Sequence, residues 1–108
     1  IVAQAPALPW LLDGHLVETR DTLQTVYDVF DAETQVVPGH GPVTDIAAIK
    51  WNVDYLTAVE TEVSAAISDG LKLEETVARV QLPEFQGYAL FGWVHPSLNI
   101  PAAFNDLK

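Results

Sequence analysis

An apolar stripe of helical period runs through the middle of the chain and constrains its fold more than any other feature. Six apolar residues from Ile49 to Ile67 follow one another at steps of 4, 3, 3, 4 and 4, which is the spacing of one face of an α-helix. Thr44 or Asp45 can cap the first turn, and Gly70 is typical of the residue that ends a helix. The pattern predicts a helix over residues 45–69 whose apolar face must be covered by other elements.

A second amphipathic pattern precedes this helix and is followed by a short β-branched run. Apolar residues at helical spacing predict a helix from about Glu18 to Asp31, with Thr19 or Asp21 as its cap. These apolar residues are Leu23, Val26, Tyr27 and Phe30. The run Thr34 to Val37 predicts a short buried strand, parallel to a strand outside this chain. Helix followed by strand is the order of an α/β fold.

The two ends of the chain carry weaker patterns. The first 12 residues, with prolines at 6 and 9, predict an extended segment in which Ile1 and Val2 end a strand, followed by a turn at residues 13–15. After the long helix, a shorter helix that ends before Pro83 is predicted by Leu73, Val77 and Val80. Near the end of the chain, Asn99 is the expected N-cap of a helix over residues 101–107.

Composition excludes several classes of function. The chain has 108 residues, 49% of them hydrophobic, which suffices for one modest core. Its net charge of −10, from 15 acidic and 5 basic residues, argues against binding to nucleic acid or to an anionic membrane surface. We expect a soluble chain, either cytoplasmic or periplasmic. Because cysteine is absent, a metal site would have to use nitrogen and oxygen ligands.

The most specific motif is the octapeptide Val36-Val37-Pro38-Gly39-His40-Gly41-Pro42-Val43. The glycines allow close backbone approach and the prolines limit the freedom of the loop, so one imidazole is held on a constrained turn. A neutral imidazole is the commonest metal ligand in proteins. In an α/β fold the loop after a strand is also where a functional crevice lies. His40 is therefore the first candidate for a metal ligand.

This octapeptide resembles the late histidine motif of the metallo-β-lactamase-fold hydrolases. The resemblance implies that His40 binds a metal, with Pro38, Gly39, Gly41 and Pro42 forming the motif loop. It also implies a binuclear centre, most simply of zinc, which hydrolyses an ester, thioester, lactone, amide or phosphodiester bond of a small-molecule substrate. The family's first metal motif, His-x-His-x-Asp-His, does not occur in this sequence.

The same resemblance implies a fold class and a division of the chain. The expected class is α/β, as the C-terminal portion of the αββα metallo-β-lactamase fold, mostly helical here with one or two short strands. Residues 1–44 would end the metallo-β-lactamase-like domain, and residues 45–108 would form a helical C-terminal appendix. The remaining ligands would then come from an N-terminal half outside this sequence, and the surface left by that half predicts association into a homo-oligomer.

The other candidate residues have plainer explanations. The tail from Trp93 to Phe104 is similar to the C-terminal phrase of some of these hydrolases, so His95 is a candidate for lining a substrate pocket. His15 is expected to pack or to cap, and Trp10, Trp51 and Trp93 to be core or partner-facing anchors. The acidic residues of the helices are expected to form solvated faces. The alternative function is a non-catalytic helical domain for interaction or oligomerisation.

Overall fold

The chain folds into five α-helices, a 3-10 helix at Pro83–Phe85, a π-helical turn and one pair of short strands within the part that a computed structural model describes, residues 8–12 and 14–108. The helices are α1 (Leu16–Val29), α2 (Ile46–Ser68), α3 (Leu73–Arg79), α4 (Phe91–Val94) and α5 (Ile100–Leu107). The strands are β1 (Gln35–Val36) and β2 (Thr44–Asp45), and both lie between α1 and α2. The predicted strand end at Ile1 and Val2 and the turn residue Asp13 lie outside the described residues.

The long helix α2 confirms the prediction from the apolar stripe. Its first turn is capped by Asp45, whose carboxylate accepts a hydrogen bond from the Ala47 N–H at 2.8 Å. At its other end Gly70 has φ of +78° and donates to the Ile67 carbonyl, while the Leu71 N–H donates to the Ala66 carbonyl. This pair of hydrogen bonds is the Schellman motif, which needs a residue that tolerates positive φ.

Helix α1 begins two residues before its predicted start, because its cap comes from the far end of the chain. The carboxylate of Asp106 accepts the Leu16 N–H at 2.9 Å, so a distant side chain satisfies one of the free amides of the first turn. The predicted caps Thr19 and Asp21 are wrong, since both residues lie inside the helix.

The predicted strand at Thr34 to Val37 is real but shorter, and its pairing is different. β1 pairs with β2 in antiparallel register, with Gln35 opposite Asp45 and Val36 opposite Thr44. The prediction of a buried strand is wrong: Gln35 and Val37 are exposed and Val36 is half-buried. The motif loop turns the chain back on itself, so among the described residues the partner of β1 is local.

A π-helical turn at His95–Asn99 joins α4 to α5 into one continuous helical segment. Asn99 has helical φ and ψ and makes no capping hydrogen bond, so its prediction as an N-cap is wrong. Pro96, which lacks an N–H, lies in the wider turn. The turn directs His95 and Asn99 into the protein interior, where both are at most 2% exposed.

The hydrophobic core surrounds α2, against which α1, α3 and α5 pack. Leu8 and Leu11 of the N-terminal segment join this core, at 2% and 4% exposure. The best-covered core side chains are Leu16, Leu23, Tyr55, Leu56, Val59, Val63, Val80, Val94 and Ile100. None of the helices in the described residues has both the length and the apolar character needed to cross a membrane.

Candidate functional site

The motif loop connects β1 to β2 and presents His40 at the surface. Pro38 is buried and holds one side of the loop in the protein, whereas Gly39, His40, Gly41 and Pro42 are exposed. Gly41 has φ of +106°, a conformation that glycine adopts at little cost. The positive φ explains why glycine follows the histidine in this loop. The turn leaves the imidazole outside the core.

The His40 ring lies beside two exposed tryptophans from distant parts of the chain. The indole of Trp10 is nearly parallel to the imidazole, with an interplanar angle of 11° and 6.5 Å between ring centroids. Trp93 packs edge-on against Trp10 at 5.6 Å and 88°. Trp10 is 42% exposed and Trp93 is 51% exposed. We call Trp10, His40 and Trp93 the aromatic face.

Trp10 is held in this position by the side chain of Asn99. The Asn99 amide donates to the Pro9 carbonyl at 2.7 Å, and its oxygen accepts the Leu11 N–H at 2.9 Å. These are the two backbone groups that a neighbouring β-strand would pair with. The backbone on both sides of Trp10 is thereby fixed, while Leu8 and Leu11 anchor the segment in the core.

His95 belongs to the same buried hydrogen-bond network and has no free ring nitrogen. Its Nε2 lies 2.8 Å from the Val80 carbonyl and its Nδ1 lies 2.8 Å from the Tyr55 hydroxyl. A carbonyl only accepts, so Nε2 carries the proton and Nδ1 accepts from Tyr55. The Tyr55 oxygen in turn accepts from Asn99 at 3.0 Å. The network is fully satisfied with His95 neutral.

Burial governs the protonation of this network. Loss of hydration lowers the pKa of His95 below its usual 6.5, and the hydrogen bond to the Val80 carbonyl offsets only part of that effect. Burial likewise raises the pKa of Tyr55 well above its usual 10.0, although the hydrogen bond from Asn99 opposes the change. Both groups are therefore neutral near pH 7, and neither is poised for proton transfer.

His95 also lies at the edge of a cavity. The cavity has a volume of about 440 Å³ and is lined by Gln81, Gln86, Gly87, Tyr88, Phe91, Gly92, His95 and Pro96. His95 presents little surface there, being 2% exposed, and its ring is stacked on Phe91 at 4.6 Å. Its part in binding a substrate stays a prediction. Both of its ring nitrogens are hydrogen-bonded to core groups.

His15 lies apart from both sites and joins the two ends of the chain. Its Nδ1–H donates to Asp106 at 2.9 Å. This hydrogen bond is the main cause of a raised pKa for His15. Burial by itself would raise the pKa of Asp106, but hydrogen bonds from His15 and from the Leu16 N–H lower it overall. Asp106, held by His15, thus caps the first turn of α1, and His15 contributes to capping through this hydrogen bond.

Among the described residues, His40 has neither ring nitrogen in a hydrogen bond, and the exposed His15 has only its Nδ1 engaged. Among residues 8–12 and 14–108, no three His, Asp or Glu side chains come together as a metal site. A zinc site in a protein normally takes at least three protein ligands, so the described residues alone do not fit a zinc centre. The acidic side chains predicted to be solvated are exposed or half-buried. They are Asp28, Asp31, Glu33, Asp54, Glu60 and Glu62.

The three tryptophans divide between two clusters. Trp10 and Trp93 belong to the aromatic face, whereas Trp51 packs against Tyr55, Phe85 and Tyr88 beside α2. The sequence suggested His40 through its loop, but it gave no sign that Trp10 and Trp93 would meet it. Residues 10, 40 and 93 share no local pattern, and only the tertiary fold brings them together.

Comparison with models of known protein families finds no match to this chain, and comparison with curated proteins finds none either.

Proposed function

We propose that this chain is the C-terminal part of a metal-dependent hydrolase of the metallo-β-lactamase superfamily, in which His40 is one metal ligand. The substrate would be a small molecule with an ester, thioester, lactone, amide or phosphodiester bond. The metal centre, of two zinc ions, would supply a Lewis acid and an activated water when bound. What this chain's own residues do is present and orient one imidazole.

The state of His40 is the observation that supports the proposal. Its ring is exposed on a loop whose glycine and buried proline fix the backbone. Within the described part of the chain its side chain contacts the Trp10 ring and makes no hydrogen bond. His15 and His95, by contrast, are committed to Asp106 and to the core network. Within residues 8–12 and 14–108, His40 is the histidine with both ring nitrogens outside any hydrogen bond, whereas His95 uses both and His15 uses Nδ1.

The proposal requires ligands beyond the described residues. A single imidazole binds a divalent cation weakly, and the affinity of a zinc site comes from several ligands held in one geometry. We therefore expect the 108-residue chain to bind zinc weakly and to hydrolyse nothing. The resemblance places the missing ligands in a preceding half of the fold.

Zinc titration followed by NMR tests the role of His40. Added zinc should shift the imidazole signals of His40 most and leave those of the buried His95 in place. His40→Ala should abolish the strongest response, while His15→Ala, which alters another exposed histidine, should preserve it. Unchanged His40 signals at millimolar zinc would contradict the proposal, as would ester hydrolysis by this chain alone that a chelator abolishes.

The decisive experiment measures zinc content and turnover in a longer protein that contains these residues. There His40→Ala should lower the zinc content and kcat together, because a ligand is lost, with little change in unfolding free energy, because the side chain is exposed. Full zinc content and full turnover in that variant would show that His40 is not a ligand.

A non-catalytic interaction domain is the second candidate, and one observation favours it. Large apolar side chains are exposed on several elements of the described chain. They are Leu12, Val29, Phe30, Val37, Val43 and Leu90, besides the two tryptophans. Such surface is often covered by another protein. Zinc binding at His40 favours the hydrolase, whereas its absence together with a stable complex would favour the interaction domain.

A further inference from the structure

The two tryptophans of the aromatic face are about half exposed although each lies next to a buried residue in the chain. Trp10 lies between Pro9 and Leu11, which are both buried, yet its own indole is 42% exposed. Trp93 precedes the fully buried Val94 and is 51% exposed. Tryptophan carries the largest apolar surface of any side chain, so leaving two of them half in water forgoes stabilisation.

This exposure is fixed by the backbone. Asn99, which is itself 0% exposed, bonds the carbonyl before Trp10 and the N–H after it. Trp93 lies on α4, whose first turn is closed by the hydrogen bond from the Trp93 N–H to the Leu90 carbonyl at 2.9 Å. Both indoles are thus presented from anchored segments, and a surface held in one conformation binds at a lower entropic cost.

The ring geometry suits a planar ring in the ligand. Trp10 and Trp93 meet edge to face at 88°, so the face of one indole and the edge of the other border the same surface. Aromatic rings prefer offset-stacked and edge-to-face contacts with centroids about 4.5 to 7 Å apart. A third ring can make both kinds of contact here, next to the exposed His40.

The size of the surface favours a small molecule over a protein partner. A tryptophan buries roughly 150 to 250 Å² when fully covered, so two half-exposed indoles offer roughly that area together. A stable protein interface needs about 800 Å² from each partner. The aromatic face offers a fraction of that area, which matches one ring of a small ligand.

We propose that the aromatic face binds an aromatic ring of the substrate, so that the substrates carry a ring-bearing group near the bond that is cleaved. The inference rests on the proposed function for the cleavage, but the binding of the ring depends on Trp10 and Trp93 alone. The two indoles are binding residues for the ring, and Asn99 is a positioning residue that acts through Trp10.

Titration of the chain with phenylacetamide, with acetamide as the control that lacks the ring, tests the proposal by NMR. Phenylacetamide should shift the indole N–H signals of Trp10 and Trp93 and the imidazole signals of His40, and should leave Trp51 unshifted. Acetamide should shift none of them. Trp93→Ala should weaken binding by about fivefold or more, while Phe30→Ala, which removes another half-exposed aromatic side chain, should not weaken it.

Three results would overturn the inference: equal shifts with acetamide, shifts that extend to Trp51, or unchanged affinity in Trp93→Ala. In Trp93→Ala, a Trp51 indole signal at its wild-type position reports that the variant is folded. Zinc binding at His40 without phenylacetamide binding would overturn this inference and leave the proposed hydrolase standing. Phenylacetamide binding without any zinc response would support the ring site and overturn the proposed hydrolase.

Discussion

The hydrogen-bond network of Tyr55, His95 and Asn99 works only while the imidazole is neutral. Protonation would put a hydrogen on Nδ1, and the Tyr55 hydroxyl could then no longer donate to it. A charge would also be placed in a position that is 2% exposed. The network therefore links the stability of the fold to the proton concentration, and a buried unsatisfied group costs about 1 to 3 kcal/mol.

Acid should destabilise the chain in the range where His95 titrates. The pKa of His95 is lowered in the folded state from 6.5, so below that pH the unfolded state binds more protons and stability falls. We expect a smaller free energy of unfolding at about pH 5.5 than at about pH 7.5, measured by urea denaturation. Tyr55→Phe, which leaves Nδ1 without its donor, should cost about 1 to 3 kcal/mol at the higher pH.

His15 provides the control of opposite sign. Its pKa is raised by Asp106, so its contribution is complete below pH 6.5 and is lost as the pH rises through the raised value. His15→Gln should therefore steepen the loss of stability in acid, and His95→Gln should flatten it. Equal pH dependence in both variants would refute the assignment to His95.

The helices were predictable from the sequence because their evidence is local. The stripe from Ile49 to Ile67 and the terminator Gly70 lie within α2 or next to it, and the structure confirms both. The cap of α1 and the role of Asn99 were not predictable, since their partners lie about 90 residues away. The partner of β1 was missed because a two-residue strand has too little pattern to reveal whether its pairing is local.

The functional site also combines a local pattern with tertiary contacts. The loop around His40 could be identified because glycine and proline have conformational meaning by themselves. The two tryptophans beside it could not, because their meeting is a product of tertiary packing. His95 illustrates the opposite error, in which a motif-like phrase contained a histidine whose two nitrogens serve the core.

Two glycines of this chain should respond in opposite ways to alanine. Gly70 has φ of +78° and Gly92 lies within α4, and a Cβ would meet nothing within 4 Å at either position. Gly70→Ala should therefore cost about 1 kcal/mol through backbone strain alone, whereas Gly92→Ala should gain up to about 1 kcal/mol from helix propensity. Thermal unfolding of both variants measures the difference, and a loss of similar size in both would contradict this account of the end of α2.

At the scale of the whole molecule, charge repulsion opposes the folded state. The net charge is −10, and the basic residues in ion pairs, Arg20, Lys50 and Arg79, are at least partly exposed. Pairs of that kind contribute little to stability, about 0 to 1 kcal/mol each. Repulsion among the remaining acidic groups is long-ranged and is weakened by salt.

Salt should therefore stabilise this chain. Raising sodium chloride from about 0.02 M to about 0.5 M shortens the screening length severalfold and should increase the free energy of unfolding, because repulsion is weakened more than the few ion pairs. Urea denaturation at both concentrations measures the change, and potassium chloride should act equally if the effect is screening. Light scattering in parallel reports self-association, which screening would also promote. A lower stability in salt would mean that the ion pairs outweigh the repulsion.

The contacts of Asn99 and Asp106 also set the order in which the chain can fold. Asn99 binds residues 9 and 11, and Asp106 binds His15 and Leu16, so these contacts join positions 88 to 91 residues apart. At about 5 to 20 residues per second, a ribosome adds that much chain in roughly 5 to 20 s. Throughout that interval Leu8, Leu11 and Trp10 have been synthesised and the residues that hold them have not. Residues 8–12 therefore wait for partners that are made much later, and their apolar side chains are open to a chaperone during that interval.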